Sequence, residues 1–169
     1  MEKSNNQRLN SIYDIRLWIY VLIVVIIQAY RLYVQATNSG LNDWLSRLNL
    51  PSILLPSRLL WSIWFILTLC VAYATYRAVS RANHPAVRQL INVAFVLIIL
   101  HILLITIMFY VHQNPSAALA MGLIGLLATA YEISLVHKID QVAAGLLFIY
   151  FIWLLYILYI NYQIVQLNP

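Results

Sequence analysis

The chain has 169 residues, of which 63% are apolar and only 9% charged, and its net charge is +5. A soluble domain carries about 25% charged residues, so this composition excludes most soluble enzyme classes. Cys70 is the only cysteine, which excludes an internal disulfide and a cysteine-built metal centre. The basic residues sit at the ends of apolar stretches, where topology and lipid headgroups account for them, and no nucleic-acid partner is implied.

Five apolar stretches fill the chain, at residues 13–37, 57–79, 87–112, 115–136 and 140–165. Each has the roughly 20 apolar residues that a hydrocarbon core about 30 Å thick demands. In lipid the backbone must satisfy its own hydrogen bonds, so each stretch is expected to be helical. The expected fold class is all-α, a five-transmembrane-helix bundle forming one domain over residues 13–169. Residues 1–12 are polar and are expected to form a flexible N-terminal tail.

The first span carries Gln28, Arg31 and Gln35 on one helical face. A charge at the centre of a bilayer costs roughly 2.5–3.5 kcal/mol, and less toward the ends. The plainer expectation for Arg31 is a side chain that snorkels to the headgroups. The sharper one is a clamp for a ligand carboxylate. Residues 38–56 form the one long loop, with Trp44, Leu48, Pro51 and Pro56. It is too apolar for a solvated connection and reads as a lid or a short amphipathic helix over the bundle.

The second span sets Trp61, Trp64 and Thr68 on one face, with Arg58 one turn earlier. Such a face serves packing, an interfacial belt, or the wall of a site for a flat ligand. His101 lies mid-span in the third stretch and is expected to bond a neighbouring helix. Asn114-Pro115 opens the fourth span, whose Ala118, Gly122 and Gly125 suit close helix contact. Glu132, near its end, is expected to reach the interface beside His137 and Lys138. In the fifth span Tyr150, Trp153, Ile157 and Asn161 share a face.

Lys3, Arg8, Arg16, Arg77, Arg81, Arg88 and Lys138 fall on one side of a five-span topology; Arg47 and Arg58 fall on the other. In a bacterial cell membrane this bias places the N-terminus in the cytoplasm. An organelle membrane, such as the mitochondrial outer membrane, is the alternative location. No nucleophile elbow, phosphate loop or paired-histidine zinc motif occurs, so no catalytic residue, metal ligand or obligatory cofactor is assigned.

Several runs together resemble a known family. Trp44-Leu45, Leu48, Pro51-Ser52 and Pro56 are followed by Trp64, thirteen residues after Pro51. Phe109-Tyr110, Pro115 and Ala118-Leu119 come next, then Ala143-Ala144, Leu146-Leu147, Tyr150, Trp153 and Ile160-Asn161-Tyr162. Over residues 42–169 this pattern resembles the translocator protein family, also called tryptophan-rich sensory proteins or peripheral benzodiazepine receptors. The chain departs from it where the family proline before the tyrosine is Ile149, and where apolar Ile99, Ile102 and Ile105 replace a polar third-span stretch. The family's C-terminal cholesterol pattern also fails, since no base follows Tyr162.

The resemblance implies a five-helix bundle with a ligand cavity roofed by the first loop. It implies ligands among porphyrins, haem-type tetrapyrroles, sterols and isoquinoline drugs, and it implies dimers. The tryptophans matching Trp64 and Trp153 are associated in some bacterial members with light-dependent porphyrin breakdown. The expected ligand site is therefore Trp64, Trp153, Tyr150, Ile157, Asn161, Thr68 and Arg31, under a lid shaped by Trp44, Pro51 and Pro56. Expected partners are a hydrophobic small molecule such as porphyrin or haem, membrane lipid and a second copy of the chain. Two further readings stand beside this receptor: a light-dependent porphyrin-degrading enzyme, and a structural or assembly subunit of a larger membrane complex.

Overall fold

The computed structural model describes residues 2–168, with side chains from Ile15 onward. Six α-helices follow in chain order: α1 (Glu2–Thr37), α2 (Leu41–Arg47), α3 (Ser57–Arg81), α4 (Pro85–Thr106), α5 (Pro115–Val136) and α6 (Gln141–Leu167). A π-helical segment, Ile107–Val111, continues α4. The expected tail is thus backbone-helical from Glu2, although its side chains lie outside the described residues. Five of the helices are long and apolar enough to cross a membrane, and α2 is the short helix within the long loop. The protein is an integral membrane protein. Its surface carries the large apolar side chains that lipid tolerates, such as Trp18, Leu127 and Ile149.

The helices are stopped and started by local chemistry. Proline stands in the first turn of α4 and of α5, where its missing N–H costs nothing. Asn114 caps α5 by accepting from the Ala117 N–H. α5 packs between α4 and α6, α6 packs on α3, and α3 packs on α1 and α4. Small residues permit this closeness. Ala72, Ala74 and Ala78 are fully buried on α3, and a Cβ on Gly125 would overlap the imidazole of His101.

The buried polar groups correct one expectation. Glu132 does not reach the interface: it is fully buried, and its Oε1 accepts a 2.8 Å hydrogen bond from the Thr75 hydroxyl of α3. The helix turns Glu132 inward while His137 and Lys138, past the end of α5, stay exposed. His101 behaves as expected of a cross-helix partner, with its Nε2 3.5 Å from the Tyr150 hydroxyl of α6.

Asp140 joins the helices at the end opposite the long loop. Its carboxylate caps α6 by accepting from the Val142 and Ala143 N–H groups at 3.0 and 3.1 Å. It also accepts from Arg77 Nε at 2.9 Å and Arg81 Nη1 at 2.6 Å, both on α3. Burial pushes this carboxyl upward, but the Arg77 hydrogen bond, the Ala143 N–H and the two cations outweigh it and hold it below the ordinary range. A depressed folded-state value means stability that is complete above the unfolded carboxyl value of about 3.9 and fades as pH falls through the folded one.

Two outcomes follow. In detergent, acid should lower the melting temperature of the wild-type protein below about pH 4, and Asp140→Asn should lose stability near neutral pH and flatten that acid limb. Gly125→Ala should destabilise the bundle by about 1–3 kcal/mol through overpacking, and adding His101→Ala should return part of the loss. Thermal melts of the two single variants and the double variant check the coupling.

Candidate functional site: a lidded cavity between four spans

At the long-loop end the helices part around a cavity of about 270 Å³. α1 contributes Arg31 and Gln35, and α3 contributes Ser57, Leu60, Trp61 and Trp64. Ile105 and the π-helical Phe109 and Tyr110 form a third side; Ile157, Ile160, Asn161 and Ile164 of α6 form the fourth. Leu45, Leu50 and Leu54 of the loop close it from above. α5 takes no part in the lining. Each wall follows helical spacing: 157, 160, 161 and 164 present one stripe of α6, and 105 and 109 lie one turn apart.

Arg31 does not snorkel. It is 5% exposed, and its guanidinium carbon lies 4.5 Å from the ring centroids of both Trp61 and Trp64. The indole faces draw the cation inward, as desolvated cation–π pairs do. Its Nη1 donates to Gln28 Oε1 at 3.3 Å, and Gln28 Nε2 in turn donates to the Thr68 hydroxyl at 2.8 Å. The Thr68 hydroxyl lies 2.9 Å from the Trp64 carbonyl and so closes the chain on α3.

The expected site residues divide into two groups. Arg31, Trp64, Ile157 and Asn161 face the cavity. Trp153, Tyr150 and Thr68 stand behind it. Trp153 packs edge-on against Trp64 with centroids 6.3 Å apart, and Tyr150 is fully buried beside His101. Trp61, Phe109, Tyr110 and the loop leucines were not among the expected residues. The spacing of Trp61 from Trp64, and of Phe109 from Ile105, carried the available signal.

The lid is fastened at three points. Trp44 of α2 meets Phe109 edge-on at 5.2 Å. The Tyr156 hydroxyl donates to the Ile53 carbonyl at 3.0 Å and accepts from the Leu55 N–H at 3.2 Å. The Asn49 N–H donates to Asn168 Oδ1 at 2.9 Å, while Asn168 Nδ2 donates to the Asn49 carbonyl at 3.1 Å. Of the expected lid prolines, Pro51 is buried and Pro56 precedes α3 as its N-cap residue. Below the lid, Asn38 at the end of α1 donates to the Tyr110 carbonyl at 2.7 Å, one of the carbonyls left without an intrahelical donor where the helix ends before Pro115.

Five membrane helices with an indole-walled recess under the first loop define a polytopic membrane protein with a lidded cavity at one end. The chain belongs to the TspO/MBR family, whose model matches residues 18–167. No individual curated protein matches the sequence.

Tyr156→Phe removes both hydrogen bonds from this hydroxyl to the lid. The Leu55 amide should then exchange with solvent roughly 2- to 12-fold faster, while core amides of α6 stay unchanged. Hydrogen–deuterium exchange on the detergent-solubilised protein measures it.

Proposed function

We propose that this protein is a membrane receptor that holds a flat hydrophobic molecule, a tetrapyrrole such as porphyrin or haem, in the cavity beneath the lid. The observation that carries this reading is the wall chemistry. Indole, phenyl and aliphatic side chains enclose the space, and few polar groups interrupt them, among them Gln35, Ser57 and Asn161. Pockets built this way use apolar area for affinity and fixed polar groups for orientation. Membership of the family supports a ligand-binding role in the membrane.

In this reading the ligand lies against Trp61 and Trp64, with Ile157 and Asn161 opposite and Leu45, Leu50 and Leu54 above. Trp153 and Thr68 act through Trp64, the first by packing on its ring and the second from one turn along α3. Tyr150 sets the inner end of the bundle and leaves the ligand untouched.

Protoporphyrin should quench the tryptophan fluorescence of the protein saturably. Trp61→Phe and Trp64→Phe should each weaken binding roughly 2- to 12-fold, as loss of aromatic contact does, and Trp153→Phe should weaken it less. An unchanged affinity in the Trp61→Phe/Trp64→Phe double variant would remove the proposal.

One observation favours a second reading, light-driven porphyrin breakdown with dioxygen as oxidant. Trp64 at the cavity wall and Trp153 behind it form an electron-rich pair, and neither indole N–H has a hydrogen-bond partner. Illumination of the complex should then bleach the Soret band faster than in empty micelles; equal rates would dismiss it.

A further inference from the structure

Arg31 is a buried cation without an anion. Among the described residues the salt bridges are those that Asp140 makes to Arg77 and Arg81. Glu132 is engaged with Thr75, and Asp43 is exposed on α2. No carboxylate of the described chain therefore neutralises Arg31, although removing a guanidinium from water is costly unless it is paired and hydrogen-bonded.

The surroundings answer only part of that cost. The guanidinium lies over the rings of Trp61 and Trp64, and indole faces accept no conventional hydrogen bond. On the guanidinium edge Nη1 reaches Gln28 at a long 3.3 Å, the Tyr110 hydroxyl stands nearby as a neutral partner, and Nε has no partner. A guanidinium offers five N–H donors in a rigid fork suited to planar oxyanions. The two ring contacts hold the group at the wall and leave its Nε unpartnered. Arg31 also lines the cavity, with Gln35 one turn further along α1 and Asn161 on the α6 wall.

Resting on the receptor reading above, we infer that the ligand is an amphiphile with an oxyanion head, a carboxylate or a phosphate, and that Arg31 takes the head while the apolar walls take the body. The stacked, half-satisfied guanidinium at the cavity wall is the geometry that selects such a molecule. Neutral compounds of the same shape leave the Arg31 edge unpaired and bind less well. Arg31→Lys keeps a charge but loses the planar fork and the stacking, so it restores little.

The test compares acids with their esters on the wild-type protein in nanodiscs of a neutral phospholipid, read by tryptophan quenching. Protoporphyrin IX is matched with its dimethyl ester, and oleic acid with methyl oleate as competitors of the quenching. Lysophosphatidic acid matched with monoolein separates a phosphate head from a carboxylate one. The acid of at least one pair should bind roughly tenfold or more tighter than its neutral match, the range expected when a charge-assisted hydrogen bond is gained. Arg31→Gln should bring the ratio of acid to neutral affinity in that pair down to about one, whatever it does to both compounds in common.

Equal affinity of acid and neutral compound in all three pairs would overturn the inference while leaving the receptor reading intact. Direct binding of an oleate or lysophosphatidate radiolabel, over its neutral match and without any porphyrin binding, would overturn the tetrapyrrole reading and support the inference. The wild-type comparison needs no variant to fold, so an unstable Arg31→Gln protein leaves the result decisive.

Discussion

Lipid offers no hydrogen bonds, so polar groups turned into this bundle bond either a carbonyl of their own helix, as Thr106 and Thr129 do, or a side chain of another. The cross-helix pairs are few and each ties two elements. Tyr20 of α1 bonds Asn92 of α4, Gln28 of α1 bonds Thr68 of α3, and Thr75 of α3 bonds Glu132 of α5. His101 of α4 lies beside Tyr150 of α6. Because hydrocarbon surrounds the helices, apolar burial does little to draw them together, and such cross-helix contacts fix rotation and register instead.

The same constraint explains why the cavity wall is built as it is. A helix that lines an open space must still close its own backbone bonds. The switch from α4 to a π-helical segment at Ile107–Val111 alters that pattern next to the recess, and such segments occur frequently at functional sites. Within it the Tyr110 carbonyl accepts from Asn38, and Phe109 packs against Trp44. Roof, first helix and fourth helix are thereby coupled through two adjacent residues of one short turn. Arg31, over two rings of the neighbouring helix, adds a third link from α1 to the same region.

Much of this was legible in the sequence, because a membrane span is a statement of composition. The five helices, the lid and its small helix, and the family all follow from apolar length, loop content and residue runs. What escaped depended on distant partners. Arg31 is buried because indoles thirty residues later enclose it, and nothing near it in the chain reveals that. Glu132 turns inward because Thr75, 57 residues away, meets it. Periodicity placed Trp153 on an inward face correctly, but a face does not say whether a ring fronts a space or backs another ring. That distinction lies in the 6.3 Å between Trp64 and Trp153. The π-helical turn carries no sequence mark, so the third span reads as one continuous helix.

The Asn49–Asn168 clasp has a practical side. Asn168 fastens the roof while its Nδ2 also donates to the Ile164 carbonyl, so the last turn of α6 and the loop are knotted at one residue. Any purification tag or fluorescent reporter attached beyond Asn168 would emerge beside the roof and crowd it. Labels for spectroscopy or surface capture therefore belong on the exposed turn at His137-Lys138, at the far end of the molecule, where they leave the roof alone.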